Sequence, residues 1–235
     1  MDNLTTALAG VPLEPTNSDT TSTPAETRAE TRINRAFQEI TAYAALLRPG
    51  PIPGAEIAVT RALAEPFTPG GLVILLLEPR ADHPWEDGVH TVVEECLTLD
   101  VLREFIEESS GGEISMIEDV SVVDLRPYID KDLREDLSTE ELWELYDLVY
   151  DFICAKQPDV ILAMGYEAGC ELGFQLDMNG DRLPRETKTV YARHPSYAVN
   201  YHWDSLEKQE ALFEHVSTAV ELLGQVQLAY VLERM

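Results

Sequence analysis

The sequence predicts an α/β fold: a three-layer α/β/α sandwich around a four-stranded, mainly parallel sheet. Three observations carry this. Apolar runs of strand length alternate with longer segments of helical periodicity, the pattern of strands joined by crossover helices. The first run, LVILLL at residues 72–77, is apolar at every position, as a strand covered on both faces has to be. Turn and cap residues punctuate the alternation, with Pro69-Gly70-Gly71 before that run, Glu78-Pro79 after it, and Ser138 with Glu141 as a capping box further on.

Residues 1–24 hold many Thr, Ser, Pro and Asn and too little apolar surface to offset ordering, so they are expected to form a disordered tail. Residues 25–235 are expected to form one domain. Ile33, Phe37, Ile40 and Ala44 repeat at helical spacing and predict a helix over 25–47, stopped by Arg48-Pro49-Gly50-Pro51. The stretch up to Gly71 reads as irregular, with a short helical turn at 57–64. After the strand at 72–77, one helix is expected over 88–108, with Val92, Val93, Cys96, Leu102, Phe105 and Ile106 inward. A second strand is expected over 115–125. The helix that starts at Ser138 carries Leu142, Leu145, Tyr146, Val149, Phe152 and Ile153, and Pro158 is expected to end it. A third strand at 160–165 leads to a helix over 167–176 and a loop tip at 177–181. A fourth strand at 188–192 precedes a final helix over 204–232, capped by Asp204.

The chain has 235 residues, 43 acidic and 17 basic, giving a net charge of −26. Such a surface repels phosphate backbones and anionic membranes at long range, which disfavours a general DNA coat. A local basic cleft still acts within a Debye length of about 8 to 10 Å. The three cysteines have no CxxC spacing, which favours a reducing, intracellular compartment, nuclear or cytoplasmic. Residues 1–10 do not read as a secretory signal, and no apolar run approaches membrane-spanning length, so no membrane association is expected. GxGxxG, P-loop and GxSxG motifs are absent.

In open parallel sheets ligands bind beyond the carboxyl ends of the strands. That rule selects four loops: Glu78-Pro79-Arg80-Ala81-Asp82-His83, Asp124-Leu125-Arg126-Pro127-Tyr128, Gly165-Tyr166-Glu167, and Arg193-His194-Pro195-Ser196-Tyr197. Carboxylates, histidine and arginines crowd these ends, and they are expected to converge on one cleft. Spacing in Asp82, His83, Glu86, Asp87 and His90 fits no standard metal site.

A strand ending in acid-Pro at Glu78-Pro79, a second ending at Asp124, a third ending at Gly165 and a fourth followed directly by His194-Pro195-Ser196 resemble the series in the uracil-DNA glycosylase superfamily, over about residues 71–202. The resemblance implies a divergent member that cleaves an N-glycosidic bond of a flipped or single-stranded base, a DNA-repair hydrolase. It implies Glu78 and His194 as catalytic residues, the carboxylate beside water and sugar, the imidazole beside the base oxyanion. Arg80, Asp124, Arg126, Arg193, Ser196 and Tyr197 would bind substrate, with Ser196 on a phosphate, and no cofactor or metal is implied. Asp124 falls where the family reads its base with asparagine, and an ionised aspartate accepts hydrogen bonds without donating any. The other reading left open is a catalytically inactive member that binds a nucleobase-like ligand, or a basic protein through its acidic surface.

Overall fold

The computed structural model describes residues 24–80, 82–195 and 206–233. Its elements are, in order, α1 (Pro24–Leu47), α2 (Gly54–Ala64), β1 (Leu72–Leu76), α3 (Gly88–Glu95), α4 (Leu97–Ser109), α5 (Met116–Asp119), β2 (Val120–Asp124), α6 (Lys131–Arg134), α7 (Thr139–Lys156), β3 (Val160–Met164), α8 (Tyr166–Asn179), β4 (Lys188–Ala192) and α9 (Leu206–Glu233). The strands form one sheet in the order β2-β1-β3-β4, and every pairing is parallel. The chain leaves β1 for one neighbour and later returns to its other side. The switch point therefore lies beside the carboxyl end of β1, where loops diverge and leave a crevice.

Alternation along the strands explains the three layers. Leu72, Ile74 and Leu76 of β1 face one side, with Val92, Leu102, Val216 and Leu223 from α3, α4 and α9. Val73 and Leu75 face the other, with Ile33, Phe37, Val149 and Phe152 from α1 and α7. Every residue of β1 and β3 is buried, as their continuous apolar character requires. The three-layer α/β/α sandwich read from the sequence is the observed fold.

Several boundaries differ from the sequence reading, each for a local reason. The expected helix over 88–108 is two helices, broken at Cys96, whose extended backbone (φ −87°, ψ 101°) turns the chain beside the crevice. The expected strand over 115–125 shortens to Val120–Asp124. Its first residues form α5, because the Ser115 hydroxyl accepts from the Glu118 N–H and the Asp119 carboxylate accepts from the Ser115 N–H. Residues 54–64 are fully helical. Helix α7 starts with the capping box of Ser138 and Glu141 and ends at Gln157 in the left-handed region, before Pro158 is reached. Helix α8 runs on to Asn179 and a single 3-10 turn covers Gly180–Arg182, so the expected loop tip is largely helical. The expected tail, residues 1–24 except Pro24, and the expected cap at Asp204 lie outside the described residues. Among the described residues no helix is long and apolar enough to cross a membrane.

Candidate functional site

Parallel register positions the first two site segments. Leu76 of β1 stands opposite Asp124 of β2. The ladder continues past both strands, with the Leu125 N–H donating to the Leu76 carbonyl and the Arg126 N–H to the Leu77 carbonyl, each at 2.9 Å. Glu78 and Asp124 thus leave the sheet side by side. At the other end of the site, Met164 of β3 pairs with Ala192 of β4, and the Gly165 N–H donates to the Ala192 carbonyl at 2.8 Å. Gly165 has φ +96° and ψ 160°, a conformation that side chains avoid. A Cβ there would lie 3.3 Å from the Cβ of His194. The bare glycine backbone is what lets the His194 loop close over the end of β3.

Glu78, Asp124 and His194 line one cavity of about 670 Å³ at this edge of the sheet. Its apolar wall includes Leu76, Val92 and Val122, and His83 and Trp85 add an edge-to-face aromatic pair with centroids 4.8 Å apart. Cys96 enters the cavity through the break between α3 and α4. An apolar hollow with a few convergent polar groups is the usual form of a small-molecule site.

Burial sets the protonation pattern. Burial, then the neighbouring charge of Glu78, pushes the Asp124 carboxyl up to about 7. Burial holds His194 below the usual imidazole value. The same cause, followed by the Arg80 charge, lowers His83 although Asp82 opposes it. Burial pushes the Cys96 thiol up. Near neutral pH both imidazoles are therefore uncharged, and each has one N–H to donate.

Glu78 is anchored from behind. Arg126 donates to its Oε2 at 2.8 Å, and Arg134 of α6 lies 3.8 Å from the same oxygen. Arg126 also donates to the Tyr146 hydroxyl at 2.8 Å and to Glu167 Oε2 at 2.6 Å. Arg126 is thus a buried support for the cavity wall, not one of its lining residues, and its expected ligand contact is replaced by these three bonds. Arg126 forms its ion pairs with Glu78 and Glu167, and none with Asp124. Glu78 pairs with Arg126 and Arg134. Arg80 lines the cavity but donates through two nitrogens to Asp82, at 3.0 and 2.7 Å. Arg193 is exposed and is not part of the cavity lining. Ser196 and Tyr197 lie outside the described residues.

Sequence reasoning missed Trp85 and Cys96 as cavity residues; it counted His83 in the loop after the first strand but gave it no role at the site. Trp85 lies two residues past the strand-end loop that holds His83, so a longer reading of that loop would have found it. Cys96 gave no signal, because its exposure to the cavity comes from a helix break that the apolar pattern conceals. Arg134 and Tyr146 gave none either, since each is one polar group on a helix. No protein-family model matches the chain, and no curated protein matches it.

Proposed function

We propose that the cavity is a nucleobase pocket in a divergent member of the uracil-DNA glycosylase superfamily, and that it hydrolyses the N-glycosidic bond of a base presented by a single strand or a nucleoside. The observation that carries this reading is the meeting of Glu78, Asp124 and His194, from the ends of three strands, in one apolar-walled cavity. The parallel order β2-β1-β3-β4, with His194-Pro195 one residue beyond the end of β4, supports it. In the reaction, water attacks C1′ of the sugar, the bond from C1′ to the base nitrogen breaks, the electron pair leaves on the base, and the proton lost by the water ends on the departing base. The Glu78 carboxylate orients water and counters the positive charge that builds on the sugar. His194, neutral and buried, donates its N–H to the developing base oxyanion.

A second reading, a base-binding or basic-protein-binding module without catalysis, is favoured by the charge distribution. Arg80 and Arg126, two cations expected to hold phosphate, are both matched by carboxylates, and Asp130 and Asp132 flank Lys131 at the cavity. A phosphate backbone approaching this rim meets little net positive charge. Nuclear and cytoplasmic settings fit both readings.

One assay separates them. Single-stranded DNA carrying uracil is incubated with wild type, Glu78→Gln and His194→Ala, and abasic sites are counted. The enzyme reading expects product from wild type and a loss of about 100-fold or more in each variant, the size typical of removing one oxyanion donor. Thermal unfolding of each variant checks that the fold survives. Uracil binding without product selects the second reading. Neither binding nor product removes the nucleobase pocket.

A further inference from the structure

We propose that an exposed row on α8, formed by Tyr166, Cys170, Phe174 and Met178 with Trp143 of α7 and Tyr191 of β4 beside it, docks a basic amphipathic helix of another protein. None of these six residues lines the cavity, and the proposal holds whether or not the cavity is catalytic. Large apolar side chains stand exposed at nine described positions, and five of them are here, including every exposed Phe, Tyr and Trp. Scattered singly, such residues carry no message; gathered in one patch, they mark a contact surface. The α8 residues lie four apart, so they make one ridge about 18 Å long, a little over three turns.

The patch is ordered before anything binds. The Trp143 and Phe174 rings meet edge to face with centroids 5.1 Å apart, so each holds the other. On the other flank of the ridge, Gly169 and Gly173 leave room for Tyr191. A Cβ at Gly169 would stand 3.2 Å from the Tyr191 ring. Aromatic groups fixed in advance lose little freedom on docking.

Charge complementarity selects the occupant. Helices α7 and α8 carry eight carboxylates and one cation, Lys156, which is buried with its Nζ donating to the Pro66 carbonyl. Asp151 and Glu167 pair with Arg182 and Arg126, and Glu141 closes the capping box. Among the described residues the other five, Glu140, Glu144, Asp147, Glu171 and Asp177, have no ion-pair partner. Two of them crowd each other: burial pushes the Glu171 carboxyl up and the Asp147 charge adds to this, against the hydrogen bond from Gln175. Lys188 of β4 alternates with Val190 and Ala192 toward the layer that holds α9, away from Tyr191. A helix with an apolar face and Lys or Arg along its edges covers the ridge, neutralises these carboxylates and lays cations on the rings. A second copy of the chain brings the same acidic rim and a charge of −26. Residues 1–23 hold Asp2, Glu14 and Asp19 and neither Lys nor Arg, so the chain's own start has the wrong sign too.

The probe is a synthetic helical peptide with Leu on one face and Lys on the other, beside a control with Glu in place of Lys. Calorimetric titration into the full chain is expected to show saturable one-to-one binding of the Lys peptide and none of the Glu peptide. Tyr166→Ala and Phe174→Ala are each expected to weaken Kd about tenfold, the scale of losing an aromatic anchor. Asp147→Asn is expected to weaken it less and to flatten its salt dependence. Thermal unfolding of each variant checks the fold. Amide shift mapping of wild type with the Lys peptide is expected to concentrate on α7, α8 and β4, and added uracil is expected to leave Kd unchanged. Shifts on other faces, equal binding of the Glu peptide, displacement by uracil, or an unchanged Kd in both aromatic variants overturns the proposal; none of the first, second or fourth bears on the nucleobase pocket. Self-association of the free chain that Tyr166→Ala abolishes makes a second copy the occupant and overturns it as well.

Discussion

Arg126→Ala is expected to lose about 3–5 kcal/mol of folding stability, the range for removing one partner of a buried ion pair. Arg126 is 5 % exposed and makes three bonds from three different guanidinium nitrogens. Its guanidinium carbon also lies 5.7 Å from the centre of the Tyr146 ring. Alanine leaves Glu78 with Arg134 at 3.8 Å as its remaining cation among the described residues. It also strips the Tyr146 hydroxyl of its hydrogen-bond partner. The bond to Glu167 contributes least, because half of that side chain is in water. Denaturant unfolding measures the loss. The double variant Arg126→Met, Glu78→Gln is expected to recover part of it, since the stranded charge is gone. A loss below about 1 kcal/mol would mean that water already solvates this group, as at exposed pairs. The same substitution leaves Glu78 less neutralised beside Asp124, which drives the Asp124 midpoint further upward.

Gly165→Ala is expected to disturb stability and the site together. The backbone at φ +96° and ψ 160° belongs to a region that is nearly glycine-only, and holding alanine there costs about 1–3 kcal/mol. The added methyl also meets the His194 Cβ at 3.3 Å, a backbone-anchored atom that yields less easily than the end of a flexible chain. Relief requires the His194 loop to lift from β3, or β3 to give up the 2.8 Å bond from Gly165 N–H to the Ala192 carbonyl. Lowered unfolding temperature and a shifted imidazole resonance of His194 are the paired readouts. Since burial is what lowers His194, a lifted ring titrates closer to its ordinary value. Lost stability with an unmoved resonance would show that the strain is absorbed elsewhere.

The fold was legible because its strands announce themselves. LVILL at β1 and VILAM at β3 are apolar throughout, as covered central strands are. The capping box at Ser138 marked the start of α7 within one residue for an equally local reason. What stayed hidden depends on contacts between distant segments. The break at Cys96 sits within an apolar pattern that reads as one helix. The partner of Glu78 was unreadable, since Arg126 and Arg134 become its neighbours only through the pairing of β1 with β2 and the placement of α6. The strand-end rule brought Glu78, Asp124 and His194 to one edge correctly, because parallel topology alone dictates that edge. It failed for Arg126, whose position next to a strand end conceals a side chain directed into the protein. The state of Asp124 was misjudged for a related reason. Its charge follows from burial and from Glu78, and neither is a property of the local sequence.

NMR shift mapping tests most directly whether this one cavity is the ligand pocket. Uracil is titrated into isotope-labelled wild type at pH 6. The prediction is saturable shifts at the Asp124 and Cys96 amides, the Trp85 indole and the His194 imidazole, all of which belong to the same cavity lining. Shifts that gather instead on the exposed Trp143 and Phe174 rings of α7 and α8, or no shifts at all, would contradict it.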